Sequence, residues 1–533
     1  MNKILILGAG LMQKPAILAA KTLGLESVVV DANPNAPCVN LADHFEEVDL
    51  KDRDSLLKLA RSLGGELVGV FTAGTDFSSS VSYVSEKLGL PAHPFQSALN
   101  ASDKVRMRTC FKKRGVPCPS FREISRLDIP KLTLEKVNFP MVVKPCDNMG
   151  GRGCRLVRSP LEMNSSVSVA VKNSRTGRAI FEDFMEGAEY SIDAIVWEGS
   201  LTVTGFADRH IFYPPYFIEM GHSLPSRASS QIKEELFATF ALGVKSLGLT
   251  KGVAKADIKY TKNGPMIGEI AARLSGGYMS GWTFPYASGI NLTEEAMKIA
   301  VGQTPDKIIA ERRSVAWNPH KSVSEFDCPF ELFEIPTNLV SAERAWISIP
   351  GKVCAIDGIE EAKAVYGVRD VLPRTKIGDD VDFPRNNVEK CGNVIAVALS
   401  SDEAYRSAHT AISRIVLRLS PNNEKTERFL AGKCADDERG FPPAAFVLDE
   451  NAKKIVCPFP ETVLENHSIS EFISDEISVQ FGEDWNHRSL KTSAKMFDKF
   501  CKNHASLSGE KLWNALLRGG LQGAIFVADS AKS

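Results

Sequence analysis

The sequence predicts a multidomain protein of α/β and α+β class, and three observations support this. The chain has 533 residues, 44% hydrophobic and 24% charged, which suits three or four globular domains better than one. Over residues 1–100, short apolar runs alternate with helical segments, as in a parallel sheet. From residue 101 onward, strand pairs joined by turns replace that alternation. We expect four successive parts: 1–100, 101–309, 310–420 and 421–533.

Charge and cysteine usage exclude several classes. The formal net charge of −1 gives no bulk electrostatic reason to expect nucleic acid or an anionic membrane as a partner, although a local basic groove stays open. The apolar run at the start is too short for a signal peptide, and no stretch approaches membrane-spanning length. The 11 scattered cysteines fit reduced thiols and indicate neither a zinc site nor a disulfide framework. We expect a cytoplasmic protein.

The first hundred residues have the pattern of a parallel sheet, with a glycine turn after the first strand. The predicted strands are Ile4–Leu7, Val28–Val30 and Leu67–Phe71. Gly8 and Gly10 follow the first strand, but Gln13 stands where a dinucleotide fingerprint has its third glycine. A sharp turn alone would explain both glycines.

The next segment predicts a phosphate-binding loop. The residues Ser102-Asp103-Lys104 cap a basic helix that ends near Gly115. A strand over 139–144 then leads into a glycine-rich loop and a second strand over 154–158. Glycines in that loop allow backbone N–H groups to approach phosphate oxygens, and Lys144 can neutralise them; they are Gly150, Gly151 and Gly153. A glycine-rich hairpin without a ligand is the alternative.

Two spaced glutamates follow within a strand, a crossing segment and another strand over 179–191. Glu182 can accept from an exocyclic amine, the backbone at the crossing can read the other edge of a ring, and Glu189 can bind a ribose diol. Exposed acidic residues in a loop would give the same pattern.

A carboxylate hairpin over 253–271 is the most informative feature. If its loop is 262–264, Thr261 pairs with Pro265 and Asp257 falls opposite Glu269. Like charges placed so closely need a cation between them, and a hard divalent metal ion is the natural one. A two-residue Asn-Gly turn would instead move Asp257 to the other face and leave two unrelated surface carboxylates. Arg273 lies on the same face by period-two counting, if the strand continues that far.

The order of these features over roughly 1–310 resembles the ATP-grasp superfamily. The resemblance implies a Rossmann-like precursor domain and a nucleotide held between two α+β subdomains. It also assigns roles to residues. Lys104 and Lys144 would contact phosphates under a mobile loop at 150–153, while Glu182 and the backbone near Phe184 would read adenine.

The same resemblance assigns the ribose, the metal and the reacting groups. Glu189 would take the ribose hydroxyls, and Asp257 and Glu269 would hold magnesium, Glu269 bridging two ions. Manganese is the alternative metal. Arg273 would lie near the γ-phosphate and the acyl phosphate, and His222 matches a phosphate-facing position of several members. A lone histidine is more often structural, which stays open for His222.

One departure from the family pattern is informative. Many members have Glu-x-Asn-x-Arg with the asparagine as a further metal ligand, whereas this chain has Glu269-Ile-Ala271-Ala-Arg273. The L-amino-acid ligase branch has a similar Glu-x-Ala-x-Arg run followed by a glycine-containing loop, here 274–279. The departure favours that branch over the carboxylases and also leaves weakened catalysis open.

Residues 310–420 predict short strands joined by turns and a helix over Ser401–Leu419, an arrangement that resembles the small α+β carboxy-terminal domain of amino-acid ligases. In residues 421–533 we recognise no motif. Helices are predicted at Ser489–Cys501 and Lys511–Leu517, with a helix stop and turn at Arg518–Gly523. This part could be a substrate lid, a subunit contact or a separate module.

The resemblance implies an ATP-dependent, ADP-forming ligase. It would activate a small carboxylate as an acyl phosphate and join it to an amine, in this branch an amino acid. Neither nucleic acid nor membrane is an expected partner, and a homodimer is common in the family. A carboxylase that uses bicarbonate and a small amine stays open as an alternative, as does a non-catalytic ATP-binding protein.

Overall fold

The structure is a computed structural model that describes residues 1–125, 137–433, 440–446 and 460–532. It divides into two compact units. The first contains residues 1–210 and 221–341, and the second contains residues 211–220 and 342–533. All predicted nucleotide and metal residues belong to the first unit.

The first unit begins with the predicted parallel α/β fold. Four strands pair in the order β3-β2-β1-β4, each parallel to its neighbour. Strand β1 is apolar after Lys3 and β4 is apolar throughout, as expected where helices cover both faces of a parallel sheet. The bounds are β1 Lys3–Leu7, β2 Glu26–Asp31, β3 His44–Glu47, β4 Leu67–Phe71, α1 Lys14–Thr22, α2 Arg53–Ser62 and α3 Ser78–Leu88.

Gln13 has a structural function in this fold. Its side chain is fully buried and pairs with both backbone groups of Ala73, accepting from the amide nitrogen at 2.9 Å and donating to the carbonyl oxygen. The Asp31 carboxylate accepts from the Ala9 amide at 2.8 Å. Gln13 therefore ties the turn after β1 to the end of β4.

A small antiparallel sheet follows, with strand order β5-β8-β6-β7. A cap is present within the predicted Ser102–Lys104 segment: the Asp103 carboxylate accepts from the amides of Val105 and Arg106 at 3.0 Å each. The bounds are α4 Phe95–Ser102, α5 Lys104–Lys113, β5 Phe121–Ser125, β6 Met141–Pro145, β7 Arg155–Val157, α6 Pro160–Lys172 and β8 Arg178–Asp183.

A larger sheet completes the first unit and carries the predicted hairpin at its edge, in the order β13-β12-β9-β10. One face of β9 and β12 packs against a long buried helix, α7, which leaves the other face for polar residues. The bounds are β9 Gly187–Trp197, β10 Ser200–Phe212, β11 Ile218–Leu224, α7 Ser230–Leu247, β12 Gly252–Thr261, β13 Gly264–Ala271, α8 Phe284–Ser288, α9 Leu292–Ala300, α10 Asp306–Glu311, β14 Arg313–Ser314 and β15 Glu331–Glu334.

In the second unit, one core joins residues before and after 420. Trp346 and Val353 share it with Phe429, Phe497 and Leu516. The strands are β16 Val340–Trp346, β17 Gly351–Asp357, β18 Val368–Pro373, β19 Asp380–Val381, β20 Gly392–Ala398, β21 Val416–Leu419, β22 Thr462–Val463 and β23 Leu507–Ser508. The helices are α11 Ile359–Lys363, α12 Ser401–Arg414, α13 Glu424–Leu430, α14 Asp475–Phe481, α15 Leu490–Phe500 and α16 Gly509–Ser530.

One predicted helix end in this unit is wrong, and one predicted helix stop is confirmed but is followed by a second helical stretch. The helix predicted to end at Leu419 ends at Arg414, because β21 over Val416–Leu419 pairs with β17. The helix predicted over Lys511–Leu517 runs to Ser530, with one non-helical residue, Gly520, at φ 60°. The glycines therefore break the helix, as predicted, but it resumes beyond them. Within the described ranges, no helix has both the length and the apolar character needed to cross a membrane.

Candidate functional site

The carboxylate hairpin forms and pairs Asp257 with Glu269 as predicted, but the predicted pairing of Thr261 with Pro265 is wrong. Thr261 pairs with Gly264, so the turn has two residues, and the predicted three-residue loop is wrong. A β-bulge then restores the register, because Ile258 pairs with Ile267 and Asp257 with Glu269. Gly268 is the extra residue, and a Cβ there would lie 3.0 Å from the carbonyl oxygen of Asp257. Asp257 and Glu269 are therefore direct cross-strand partners, as predicted.

Basic side chains surround this pair. The Lys255 ammonium lies 2.5 Å from Asp257 Oδ1, and an Arg209 nitrogen lies 3.4 Å from Asp257 Oδ2. Lys104 Nζ lies 3.6 Å from Glu269 Oε1. Burial acts to raise the pKa of Glu269, and so does Asp257, but the ammonium groups of three lysines, foremost Lys104, lower it, and the net shift is downward. The ionised form that would bind a cation is thus favoured.

Lys104 connects the hairpin to the glycine loop. It is the first residue of α5, is buried, and donates from Nζ to the Asn148 carbonyl oxygen at 2.9 Å. Burial acts to lower the pKa of Lys104, but the nearby carboxylates, Glu269 first and Asp76 next, raise it more, so the group is held as a cation.

The glycine loop between β6 and β7 has the backbone that its sequence predicts. Gly150, Gly151 and Gly153 have φ of 69°, 76° and 69°, values that side chains disfavour. A Cβ on Gly153 would also lie 2.9 Å from the Cβ of Asn173. Asn148 holds the loop by donating to the Asn173 carbonyl oxygen at 2.7 Å.

Glu182 lies on β8 between two cations. Its Oε1 accepts from Arg108 Nε at 2.7 Å, its Oε2 lies 2.6 Å from Lys144 Nζ, and the residue is 2% exposed. Burial acts to raise the pKa of Glu182, but Arg108 and Lys144 lower it below its usual range. The structure thus brings Lys144 and Glu182 together. Sequence reasoning missed Arg108, although its position four residues after Lys104 on one helix would have placed both on the same face.

Glu189 and Phe184 share a basic neighbour. Lys259 Nζ lies 3.1 Å from Glu189 Oε2 and 5.2 Å from the centre of the Phe184 ring. Arg209, which also approaches Asp257, donates to Glu189 Oε1. Arg209 therefore links the predicted ribose and metal residues, and with Lys255 and Lys259 it was absent from the sequence-based site. Their period-two spacing with Asp257 along β12 could have indicated the two lysines.

Arg273 lies beyond the end of β13 and is nearly buried. Its Nε and Nη2 donate to Asp76 Oδ1 at 3.3 and 3.2 Å. Asp76 comes from the loop after β4, and its charge also acts on Lys104. Arg273 is therefore tied to the Lys104 end of the site. His222 lies buried on β11, and its role stays a prediction.

The donor set fits a magnesium ion that binds together with phosphate groups. Asp257 and Glu269 offer hard carboxylate oxygens. In the part of the chain that the structure describes, no group of three or more His, Cys, Asp or Glu residues forms a self-sufficient metal site. Magnesium usually takes one or two carboxylates and completes its shell with phosphate oxygens and water. The residues present therefore suit such an ion.

Three family matches cover successive parts of the chain. Residues 1–69 match the ribonucleotide synthetase preATP-grasp domain, residues 101–277 match the ATP-grasp domain, and residues 345–420 match the L-amino acid ligase C-terminal domain 2.

Several individual proteins and solved structures are also similar to this chain. An uncharacterised protein of Sinorhizobium fredii is 23% identical over 411 residues, which are 76% of this chain and 80% of that protein. Carnosine synthase 1 of Homo sapiens is 24% identical over 57% of this chain, a match that spans only 40% of its own length. The crystal structure of L-amino acid ligase from Bacillus licheniformis superposes with a TM-score of 0.64 at 20% identity, covering 79% of this chain and 99% of that one.

The matches agree with the geometry of the site. Lys104, Lys144, Glu182, Asp257 and Glu269 all lie within the residues that match the ATP-grasp domain. The predicted α/β and α+β architecture is present, with the preATP-grasp domain at the start. The chain therefore contains an ATP-grasp domain, preceded by a preATP-grasp domain and followed by a C-terminal domain of the L-amino acid ligase type.

Proposed function

We propose that this protein activates a small carboxylate as an acyl phosphate at the expense of ATP and joins it to the amine of an amino acid. The supporting observation is the hairpin that sets Asp257 opposite Glu269, with Lys104 beside Glu269 and the glycine loop beyond it. This arrangement brings together the groups that are required for transfer of the terminal phosphoryl group of ATP.

Neutralisation of negative charge is the main task of these residues. The substrate carboxylate attacks the γ-phosphorus of ATP, the bond to the ADP oxygen breaks, and an acyl phosphate and ADP result. Lys104, Lys144 and Arg273 supply fixed positive charge where the transferring group accumulates negative charge. Magnesium, held by Asp257 and Glu269, would supply further charge compensation at the phosphate oxygens. The amine then attacks the acyl carbon, phosphate leaves, and an amide forms.

Exclusion of water is the second task, because hydrolysis of the acyl phosphate would waste ATP. The loop at 150–153 is suited to close over the phosphates, since its three glycines have positive φ and left-handed residues in a loop can turn successive backbone N–H groups toward an anion. The hydrogen bond from Lys104 Nζ to the Asn148 carbonyl oxygen would couple closure of this loop to the position of Lys104 beside the metal residues.

Two observations support an amino acid as a substrate. Residues 345–420 match a C-terminal domain named for L-amino acid ligases. Position 271 carries alanine, as the L-amino-acid ligase pattern does, in place of the asparagine of many other family members. We therefore propose a product of the dipeptide or amino-acid amide type.

A screen of amino-acid pairs tests the proposal. The purified full chain is incubated with ATP, magnesium and pairs of amino acids, and phosphate release is followed by mass spectrometry of the products. We expect at least one pair to give phosphate release together with a condensed product. ADP release that requires bicarbonate and no second amino acid would assign a carboxylase instead. Tight ATP binding without ADP formation across a broad range of acids and amines would assign a non-catalytic protein.

A further inference from the structure

The position opposite Ala271 holds a cation rather than a ligand. Lys255 is the direct cross-strand partner of Ala271, just as Asp257 is the partner of Glu269. Lys255 and Asp257 therefore project from the same face of β12, and Ala271 and Glu269 from the same face of β13. The methyl group of Ala271 offers no atom to a metal ion, so the ammonium of Lys255 is the functional group at this level of the hairpin.

That ammonium is held firmly in place. Lys255 Nζ lies 2.5 Å from Asp257 Oδ1, and only 14% of its side chain is exposed. Its charge also acts on the neighbouring carboxylate Glu269. The ammonium thus pairs with one oxygen of Asp257, and its positive charge also stabilises the ionised form of Glu269.

The two carboxylates of the hairpin already share one oxygen with this cation, which disfavours a second divalent ion. In the described ranges, no third histidine, cysteine, aspartate or glutamate joins Asp257 and Glu269. Magnesium binds its ligands at about 2.1 Å, so a second ion on Asp257 Oδ1 would lie within a few ångströms of the ammonium. Two cations at that separation in a partly buried site repel each other strongly.

We propose that this site takes one divalent cation with the nucleotide, and that the Lys255 ammonium supplies the charge that a second divalent ion would otherwise bring. The inference rests on the proposed nucleotide site and deepens it. It also explains why alanine is tolerated at position 271, because a metal ligand would have no function where a lysine lies opposite.

Counting manganese ions tests the proposal without measuring activity. The full chain is saturated with a non-hydrolysable ATP analogue, Mn²⁺ is titrated in, and free Mn²⁺ is followed by electron paramagnetic resonance. We expect one tightly bound Mn²⁺ per chain. Two tightly bound ions per chain would overturn the inference and leave the proposed function intact. No tight uptake at all would count against the nucleotide site itself.

Variants test the role of Lys255. Lys255→Met removes the charge and keeps the length of the side chain, and we expect it to weaken Mn²⁺–nucleotide binding at least tenfold. Lys262→Met makes the same change at the exposed turn of the same hairpin, and we expect binding within twofold of the unsubstituted chain. Unchanged affinity in Lys255→Met would overturn the role of the ammonium.

A double variant reverses the arrangement. Lys255→Met combined with Ala271→Asn removes the cation and adds an amide oxygen opposite it, and we expect two Mn²⁺ per chain. A count that stays at one would show that Lys255 does not set the number of ions. The thermal unfolding midpoint of each variant, measured alongside, identifies any loss of binding that comes from unfolding.

Discussion

At the scale of single residues, the site consists of carboxylates whose charges are matched by cations from other elements. Glu269 faces Lys104 from α5, and Asp257 faces Arg209 from β10. The cations near Glu269, Lys104 foremost, lower its pKa and favour its ionised form before any ligand arrives. Binding of a nucleotide would then exchange these partners, since its phosphates attract the same lysines and a divalent ion attracts the same carboxylates.

Glu269→Gln tests the predicted metal residue. The amide keeps the shape of the side chain but lacks the charge that binds a divalent ion, so we expect ATP turnover to fall at least 100-fold. The fold should persist, because about a third of this side chain is exposed. Turnover measured with a substrate pair from the screen, together with circular dichroism, checks both points. Glu198→Gln, at an exposed turn, is the control. Near-normal turnover in Glu269→Gln would remove this residue from the metal site.

Glu182→Gln tests the buried charge cluster. Removing one partner leaves Arg108 and Lys144 without their counterion in a buried place, and breaking such a pair costs about 3–5 kcal/mol. Urea unfolding should detect this loss. Glu123→Gln changes an exposed carboxylate that pairs with Arg178 and should alter the unfolding free energy by less than about 1 kcal/mol. A loss as small as that for Glu182→Gln would contradict the prediction.

The lowered pKa of Glu182 also predicts a pH dependence of the unfolding free energy. Because the pKa of Glu182 is lowered in the folded chain, its contribution is fully present above the pKa of an unfolded glutamate, about 4.3. The contribution is lost as pH falls through the lower folded value. The difference in unfolding free energy between the unsubstituted chain and Glu182→Gln should therefore shrink as pH falls below about 4. A constant difference over pH 3–7 would contradict this.

At the scale of elements, sequence patterns predicted strands and caps more accurately than registers and helix ends. Period-two alternation and the glycine turn were enough to predict the 253–271 hairpin and the facing of Asp257 and Glu269. They did not predict the route, because a two-residue turn followed by a bulge at Gly268 gives the same pairing as a three-residue loop. The helix from Ser401 ends early because pairing of Val416–Leu419 with β17 overrides local propensity. That pairing is distant in sequence and leaves no local signal.

Gly153→Ala tests the glycine loop as an element. The substitution adds a Cβ at φ 69° and places it 2.9 Å from the Cβ of Asn173, so the loop must shift. Gly177→Ala has a similar φ of 67° but open space around it, and it therefore isolates the backbone penalty of about 1–2 kcal/mol. We expect Gly153→Ala to weaken binding of an ATP analogue at least tenfold by calorimetry and Gly177→Ala to change it less than threefold. Equal effects in both variants would show that the loop at 150–153 does not contribute to nucleotide binding.

At the scale of the whole molecule, the last hundred residues could not be assigned from the sequence, and the structure explains why. Apolar side chains from their described part complete a core whose other half comes from residues before 420, so no independent pattern arises within them. Asn486 exchanges two hydrogen bonds with the backbone of Ile347, at 3.0 and 2.9 Å. In the described ranges the segment after 420 is therefore an integral part of the second unit.

Gln522→Leu tests this integration. In the kinked helix α16, the Gln522 side chain accepts from the Ile349 amide at 3.2 Å and donates to the Leu417 carbonyl at 2.8 Å. Leucine fills a similar volume but leaves both buried backbone groups unpaired, and each unsatisfied group costs about 1–3 kcal/mol. We expect a loss of about 2–5 kcal/mol in urea unfolding, and increased hydrogen exchange at Ile349, more than 170 residues away in sequence. Gln96→Leu, at an exposed position in α4, should change the unfolding free energy by less than about 0.5 kcal/mol. If hydrogen exchange increased only within α16, the segment after 420 would be an appendage rather than part of the core, and its joint folding with β17 and β21 would be disproved.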